Sequence, residues 1–95
     1  LKEGERFVLA TILERQGSAP RKEGTHFIVG ESGQCFGTIG GGKLEADIVQ
    51  AAMEMITHGE RIRIESSDLN NRDAAEEGLV CGGQVRVLME AGVNR

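Results

Sequence analysis

Hydrophobic and polar positions along this chain follow two different periods, and the changes between them mark out its elements. Phe7-Val8-Leu9-Ala10-Thr11-Ile12-Leu13 is nearly continuous in apolar and β-branched residues, which predicts a strand covered on both faces. Gln16-Gly17-Ser18-Ala19-Pro20-Arg21 breaks that run as a loop, because Pro20 disfavours helical backbone at Ala19 and Gly17 supplies freedom. Thr25-His26-Phe27-Ile28-Val29 predicts a second strand. Gly30-Glu31-Ser32-Gly33 has hairpin-turn chemistry, and Gln34-Cys35-Phe36-Gly37-Thr38-Ile39 returns beside it.

After Gly40-Gly41-Gly42 the spacing changes to three and four. Leu44, Ile48, Ala51, Ala52 and Met55 predict an amphipathic helix to about His58, with Gly59 as its stop. Glu45 and Asp47 sit near its start, where a carboxylate suits the helix dipole. Arg61-Ile62-Arg63-Ile64-Glu65 alternates strictly, as a half-exposed strand does. Ser66 to Glu77 is polar, with a short helix expected at Asp73-Ala74-Ala75-Glu76-Glu77 and closed by Gly78. Leu79-Val80-Cys81-Gly82-Gly83 then leads into a last strand, Gln84-Val85-Arg86-Val87-Leu88-Met89-Glu90. The expected fold is a single α/β (α+β) domain with a mixed β-sheet and one main amphipathic helix, in the order β-β-β-α-β-(α)-β.

Composition narrows what such a domain does. At 95 residues the chain suffices for one domain, and a second copy or a partner domain would help so small a core. The net charge is −4, from 15 acidic and 11 basic residues, and only Arg21 and Lys22 form a basic pair. Nucleic acid and anionic membrane surfaces both require concentrated positive charge, so neither is an expected partner. No apolar run is long enough to span a bilayer and no leader pattern precedes the first strand, so the expected location is the cytoplasm. The two cysteines, Cys35 and Cys81, are too few for a disulfide framework and are expected as free thiols. Because the first residue is Leu1 rather than Met, the chain is expected to be a piece of something longer.

Three glycines between a strand and a helix carry the clearest chemistry. Backbone N–H groups approach a ligand closely there, and the first turn of a helix leaves its donors unpaired at the positive end of the dipole. That is an anion site, most often for phosphate, and Lys43 adds a formal charge. A tight turn without a ligand is the competing explanation. Neither G-x-G-x-x-G nor G-x-x-x-x-G-K-[ST] is present: Leu44 stands where the P-loop Ser or Thr belongs. Cys81-Gly82-Gly83 is a second candidate, although the residues alone favour Cys81 as a small buried hydrophobe. Arg21, in the loop after Gly17, offers a guanidinium fork for phosphate or carboxylate, or is a solvated loop arginine. Ser18 lacks a histidine partner. Cys35, Cys81, His26 and His58 show none of the short spacings of structural zinc sites.

Three segments together carry a family resemblance. Leu9-Ala10-Thr11-Ile12 with Gly17-Ser18-Ala19-Pro20-Arg21, then Gly37-Thr38-Ile39-Gly40-Gly41-Gly42-Lys43-Leu44-Glu45, then Gly78-Leu79-Val80-Cys81-Gly82-Gly83, resemble the amino-terminal domain of the XdhC/CoxI family across residues 1–95. Longer relatives carry a Rossmann-like second domain. The resemblance implies an accessory protein, not an enzyme, that binds molybdenum cofactor (molybdopterin or its dinucleotide form). In that role it protects the cofactor during sulfuration and helps insert it into a xanthine dehydrogenase or carbon monoxide dehydrogenase type molybdenum hydroxylase.

Its implied partners are the apoenzyme and a cysteine desulfurase, with a homodimer as a further expectation. The cofactor phosphate would dock at Gly40, Gly41, Gly42, Lys43 and Leu44, with Arg21 assisting. Cys81, beside Gly82 and Gly83, would contact molybdenum. Many relatives have a cysteine where this chain has Lys43, which weakens a metal role there and leaves the anion role intact. Two other readings stand beside this one: an enzyme acting on a phosphorylated nucleotide or pterin with Cys81 as nucleophile, and an assembly domain that binds no ligand.

Overall fold

A computed structural model describes residues 1–17, 24–39, 42–69 and 83–95. Its elements run β1 (Arg6–Gly17), β2 (His26–Gly30), β3 (Cys35–Gly37), α1 (Gly42–His58), β4 (Ile62–Leu69) and β5 (Gly83–Val93). The five strands form one sheet in the order β3-β2-β1-β5-β4. Each pairing is antiparallel, so the mixed sheet expected from sequence resolves into an antiparallel one beneath a single helix. The short helix expected at 73–77 lies outside the described residues.

The chain's first and last strands make the central pair, from Arg6 opposite Val93 to Gly17 opposite Gly83, with a register shift between Ile12 and Glu14. On its other side β1 pairs with β2 from Phe7 to Thr11, and Ile12 extends that contact through Thr25 O (3.0 Å) and Gly24 N (2.7 Å). Past Ile12, β1 continues to Gly17 with β5 as its one partner among the described residues. The strand therefore runs through Gln16, where the sequence suggested a break. The β2–β3 turn forms as expected: Gly30 N donates to Gln34 O at 2.8 Å and Gly33 N to Gly30 O at 2.9 Å. Gly33 sits at φ +90°, which glycine adopts without cost.

The α1 face made by Leu44, Ile48, Ala51, Ala52, Met55 and Ile56 is buried against Val8, Ala10, Ile12, Phe27, Val29, Val85, Val87 and Met89. Each large side chain taken fully out of water there stabilises the fold by ~1.5–3 kcal/mol before chain entropy is counted. Gly59, at φ +70°, ends the helix, and Glu60 N reaches back to Met55 O at 2.9 Å in a Schellman closure. Arg6 Nη1 donates to the carbonyl of Ile56 at 3.1 Å, so the start of β1 caps the helix end.

Only one face of β1 is covered. Val8, Ala10 and Ile12 are buried, while Leu9 and Thr11 are half-buried and Leu13 is exposed. The expectation of a strand buried on both faces is corrected: antiparallel sheets commonly have one open face, and α1 is the only helix among the described residues.

Candidate functional site

The helix start and three strand ends lie at the same end of the sheet. At the other end Arg6, the first residue of β1, holds Ile56 near the helix C-terminus. Moving toward the helix N-terminus, Asp47 and Ile48 border a crevice shared with Glu65 and Ser66 of β4, and Ser66 is level with Arg86 and Glu14. Gly42 lies a further turn in that direction, toward the end of the sheet where Gly17, Gly83 and Leu69 pair across three strands.

Those three residues are where the segments 18–23 and 70–82 attach. Gly40, Gly41, Arg21, Cys81 and Gly82 themselves lie outside the described residues. In the sequence, Cys81 and Gly82 immediately precede Gly83, and Arg21 follows Gly17 by four positions.

Of the described candidates, Gly42 opens α1 at φ +59° and is exposed. A side chain there would be strained by the backbone alone, so the conformation explains this glycine whether or not a ligand binds. Leu44 has its side chain in the core and contributes its backbone N–H to the first turn of the helix. Lys43 is exposed, and its Nζ pairs with Asp47 Oδ2 at 3.0 Å, one turn along the helix.

Glu45 stands in the first turn, and its Oε2 accepts a hydrogen bond from Thr38 Oγ1 at 3.0 Å. That contact ties the segment after β3 to the helix start. The carboxylates of Glu45 and Asp47 thus offset Lys43, and the positive character left for an anion comes from backbone donors. Glu45 also acts on Cys35. Burial pushes the Cys35 thiol up, the nearby Glu45 charge adds to this, and its Sγ lies 3.6 Å from Gly33 O. Cys35 therefore remains a thiol near neutrality, which disfavours it as nucleophile or metal ligand.

His26 and His58 are both exposed, in β2 and at the end of α1. Among the described residues, no cluster of three or more His, Cys, Asp or Glu side chains is arranged to hold a metal ion. No described helix is long and apolar enough to cross a membrane.

Sequence reasoning missed Thr38, Glu45 and Cys35 as neighbours, since a hydrogen bond across seven positions follows no periodic rule. It also missed a cleft of about 420 Å³ at the opposite end, lined by Arg6, Phe7, Met55, Arg61 and Gly92 among others.

The fold is shared with a solved structure described as a xanthine dehydrogenase from Bacillus halodurans, at a TM-score of 0.74 and 31% identity. The match covers 95% of this chain and 27% of that one, so this chain spans about a quarter of its length. Among curated proteins, none matches the chain significantly. The XdhC and CoxI family model matches residues 1–66, which takes in β1 through the start of β4 and includes the glycine-rich helix start. The chain belongs to the XdhC and CoxI family.

Proposed function

We propose that this chain is an accessory protein that binds molybdenum cofactor by its phosphate-bearing end and serves the maturation of a molybdenum hydroxylase of the xanthine dehydrogenase or carbon monoxide dehydrogenase type. One observation carries the reading. The glycine-rich start of α1 lies at the same end of the sheet as Gly17 and Gly83, the attachment points of the segments bearing Arg21 and Cys81. Family membership, and a solved neighbour described as a xanthine dehydrogenase, support molybdenum cofactor as the ligand of this reading.

The helix start fits a phosphate. Its first N–H groups have no partner within the helix, Gly42 and Lys43 are exposed, and the buried Leu44 side chain anchors the turn. When bound, the cofactor supplies molybdenum and its dithiolene. The chain supplies backbone donors at Gly40, Gly41, Gly42 and Leu44, a cation at Lys43 in exchange with Asp47, a guanidinium at Arg21 and a thiol at Cys81 beside Gly82 and Gly83. Handing the cofactor to an apoenzyme, after sulfuration by a cysteine desulfurase, is the role this binding would serve.

The test is anaerobic incubation of the purified chain with molybdenum cofactor, followed by gel filtration and assay of molybdenum and pterin in the protein peak. Co-elution is expected. Lys43→Gln is expected to weaken retention several-fold, and Glu45→Gln to strengthen it by removing a competing negative charge. Cys81→Ala is expected to lower retained molybdenum. Absence of retention, both by this chain and by the chain joined to a Rossmann-like partner domain, overturns the reading.

A further inference from the structure

The face of the sheet turned away from α1 is built to be covered, and β4 is the evidence. Directly opposed residues in an antiparallel pair share a face. Arg63 lies opposite Met89, whose side chain is in the core beneath α1, and it pairs with Glu54 of the helix. Ile62 and Ile64 lie opposite Glu90 and Leu88, so both isoleucines point to the open side, 63% and 51% exposed. Over residues 62–65 the alternation thus keeps the charges on the helix side and the apolar residues on the side that no described residue covers.

The other strands extend the same surface. Phe36, 41% exposed, lies opposite Ile28, Ile28 opposite Leu9, and Leu9 opposite Glu90. The row is apolar on four strands and crosses β5 at Glu90, with Leu88 two residues along on the same face. At ~4.8 Å between strands and ~3.4 Å per residue, the paired strands make a face on the order of 600 Å² in projection. That area, with Thr11, Arg86 and Glu90 included, lies at the upper end of the largest patches on monomers and below the ~800 Å² per partner of a standard interface.

We propose that this face is the interface between two copies of the chain, packed sheet on sheet, independently of any cofactor role. Charge on the face selects how they pack. Leu88 is flanked by Arg86 and Glu90, each two residues away on the same face. A two-fold axis crossing the strands over Leu88 sets Arg86 of one copy above Glu90 of the other, on both sides. An axis along the strands would instead stack like charges, which is destabilising. The crossing axis also places Ile64 over Ile64 of the second copy, as an isologous contact requires.

Sedimentation velocity of the 95-residue chain over a concentration series tests this, with circular dichroism to verify folding. The expected result is a species of twice the 10.2 kDa chain mass at high concentration. Ile64→Glu, and independently Phe36→Glu at the other edge, are expected to raise its dissociation midpoint at least tenfold. Thr57→Lys, on the outer side of α1, is expected to leave it unchanged. Arg86→Glu or Glu90→Arg alone is expected to weaken the dimer, and the two together to restore it. A chain that stays monomeric at all concentrations overturns the proposal and leaves the face to a different domain or protein. A dimer indifferent to both Ile64→Glu and Phe36→Glu overturns it equally.

Discussion

On the side covered by α1, the strands present Val8, Ala10, Ile12, Phe27, Val29, Val85, Val87 and Met89, all inaccessible to solvent. On the other side the same strands present Leu9, Ile28 and Leu88, half exposed, and β4 adds Ile62 and Ile64, which are more exposed still. Both faces carry apolar side chains, yet among the described residues only one is sealed within a single chain. The difference lies at β4, the edge beyond the reach of the helix's apolar stripe. There Arg63 occupies the helix side and gathers Glu54 at 3.1 Å, Glu65 at 3.2 Å and Glu60 in closer contact. A strand's alternation states that its two faces differ; it does not state which one a neighbour covers.

That contrast breaks most sharply at Phe27. Phe27→Ala leaves a cavity in the sealed face and is expected to cost ~3–5 kcal/mol. Ile64→Ala on the open face is expected to cost at most about 0.5 kcal/mol, measured where the copies are apart. Urea unfolding of both variants checks the pair, and equal losses would mean the open face is closed within one chain. Gly37→Ala, in the edge strand β3, comes next. Its φ of +87° favours glycine, and an added Cβ would stand 2.9 Å from the His26 carbonyl oxygen. A loss of ~1–3 kcal/mol is expected by the same measurement.

Arg63→Met probes the charged helix side of β4. Its partners are 35% to 48% exposed, so solvent screening limits the loss to about 1 kcal/mol, and that loss is expected to shrink in high salt.

The smallest expected effect is on pH dependence. Glu5 is held below the ordinary carboxylate range, first by the Lys2 N–H at 3.0 Å and then by the Ser32 hydroxyl at 2.8 Å. With the folded value depressed, its contribution is present above the ordinary value of 4.5 and is lost as pH falls through the lowered one. Glu5→Gln is therefore expected to flatten the acid limb of a stability-against-pH curve and to leave the neutral limb parallel to that of the parent chain.

Much of this fold is legible in the sequence because it rests on local rules. The 3.6-residue spacing from Leu44 to Met55, the stop at Gly59 and the Gly30–Gly33 turn are each set by residues within a few positions of one another. The extent of β1 is different. Its sequence turns polar after Leu13, yet the strand reaches Gly17 because β5, from the other end of the chain, hydrogen-bonds it there. The same limit applies to the candidate site. The glycine-rich helix start announces itself, whereas the Thr38–Glu45 bond and the Lys43–Asp47 pair, which set the charge around it, depend on how β3 meets α1.

The pairing of the first strand with the last also governs how the chain can be made. A ribosome releases β1 long before β5, and among the described residues β4 has no neighbour in the sheet except β5. Until the last strand emerges, β1 has only the β2–β3 hairpin to pair with, and α1 lacks Val85, Val87 and Met89 beneath it. Closure therefore waits for β5 and is dominated by distant contacts, which places folding toward the slow, roughly millisecond-to-second end for small domains. In that interval one edge of β1 is unpaired, an opening for wrong partners in a crowded cell and a reason for chaperones to attend the nascent chain.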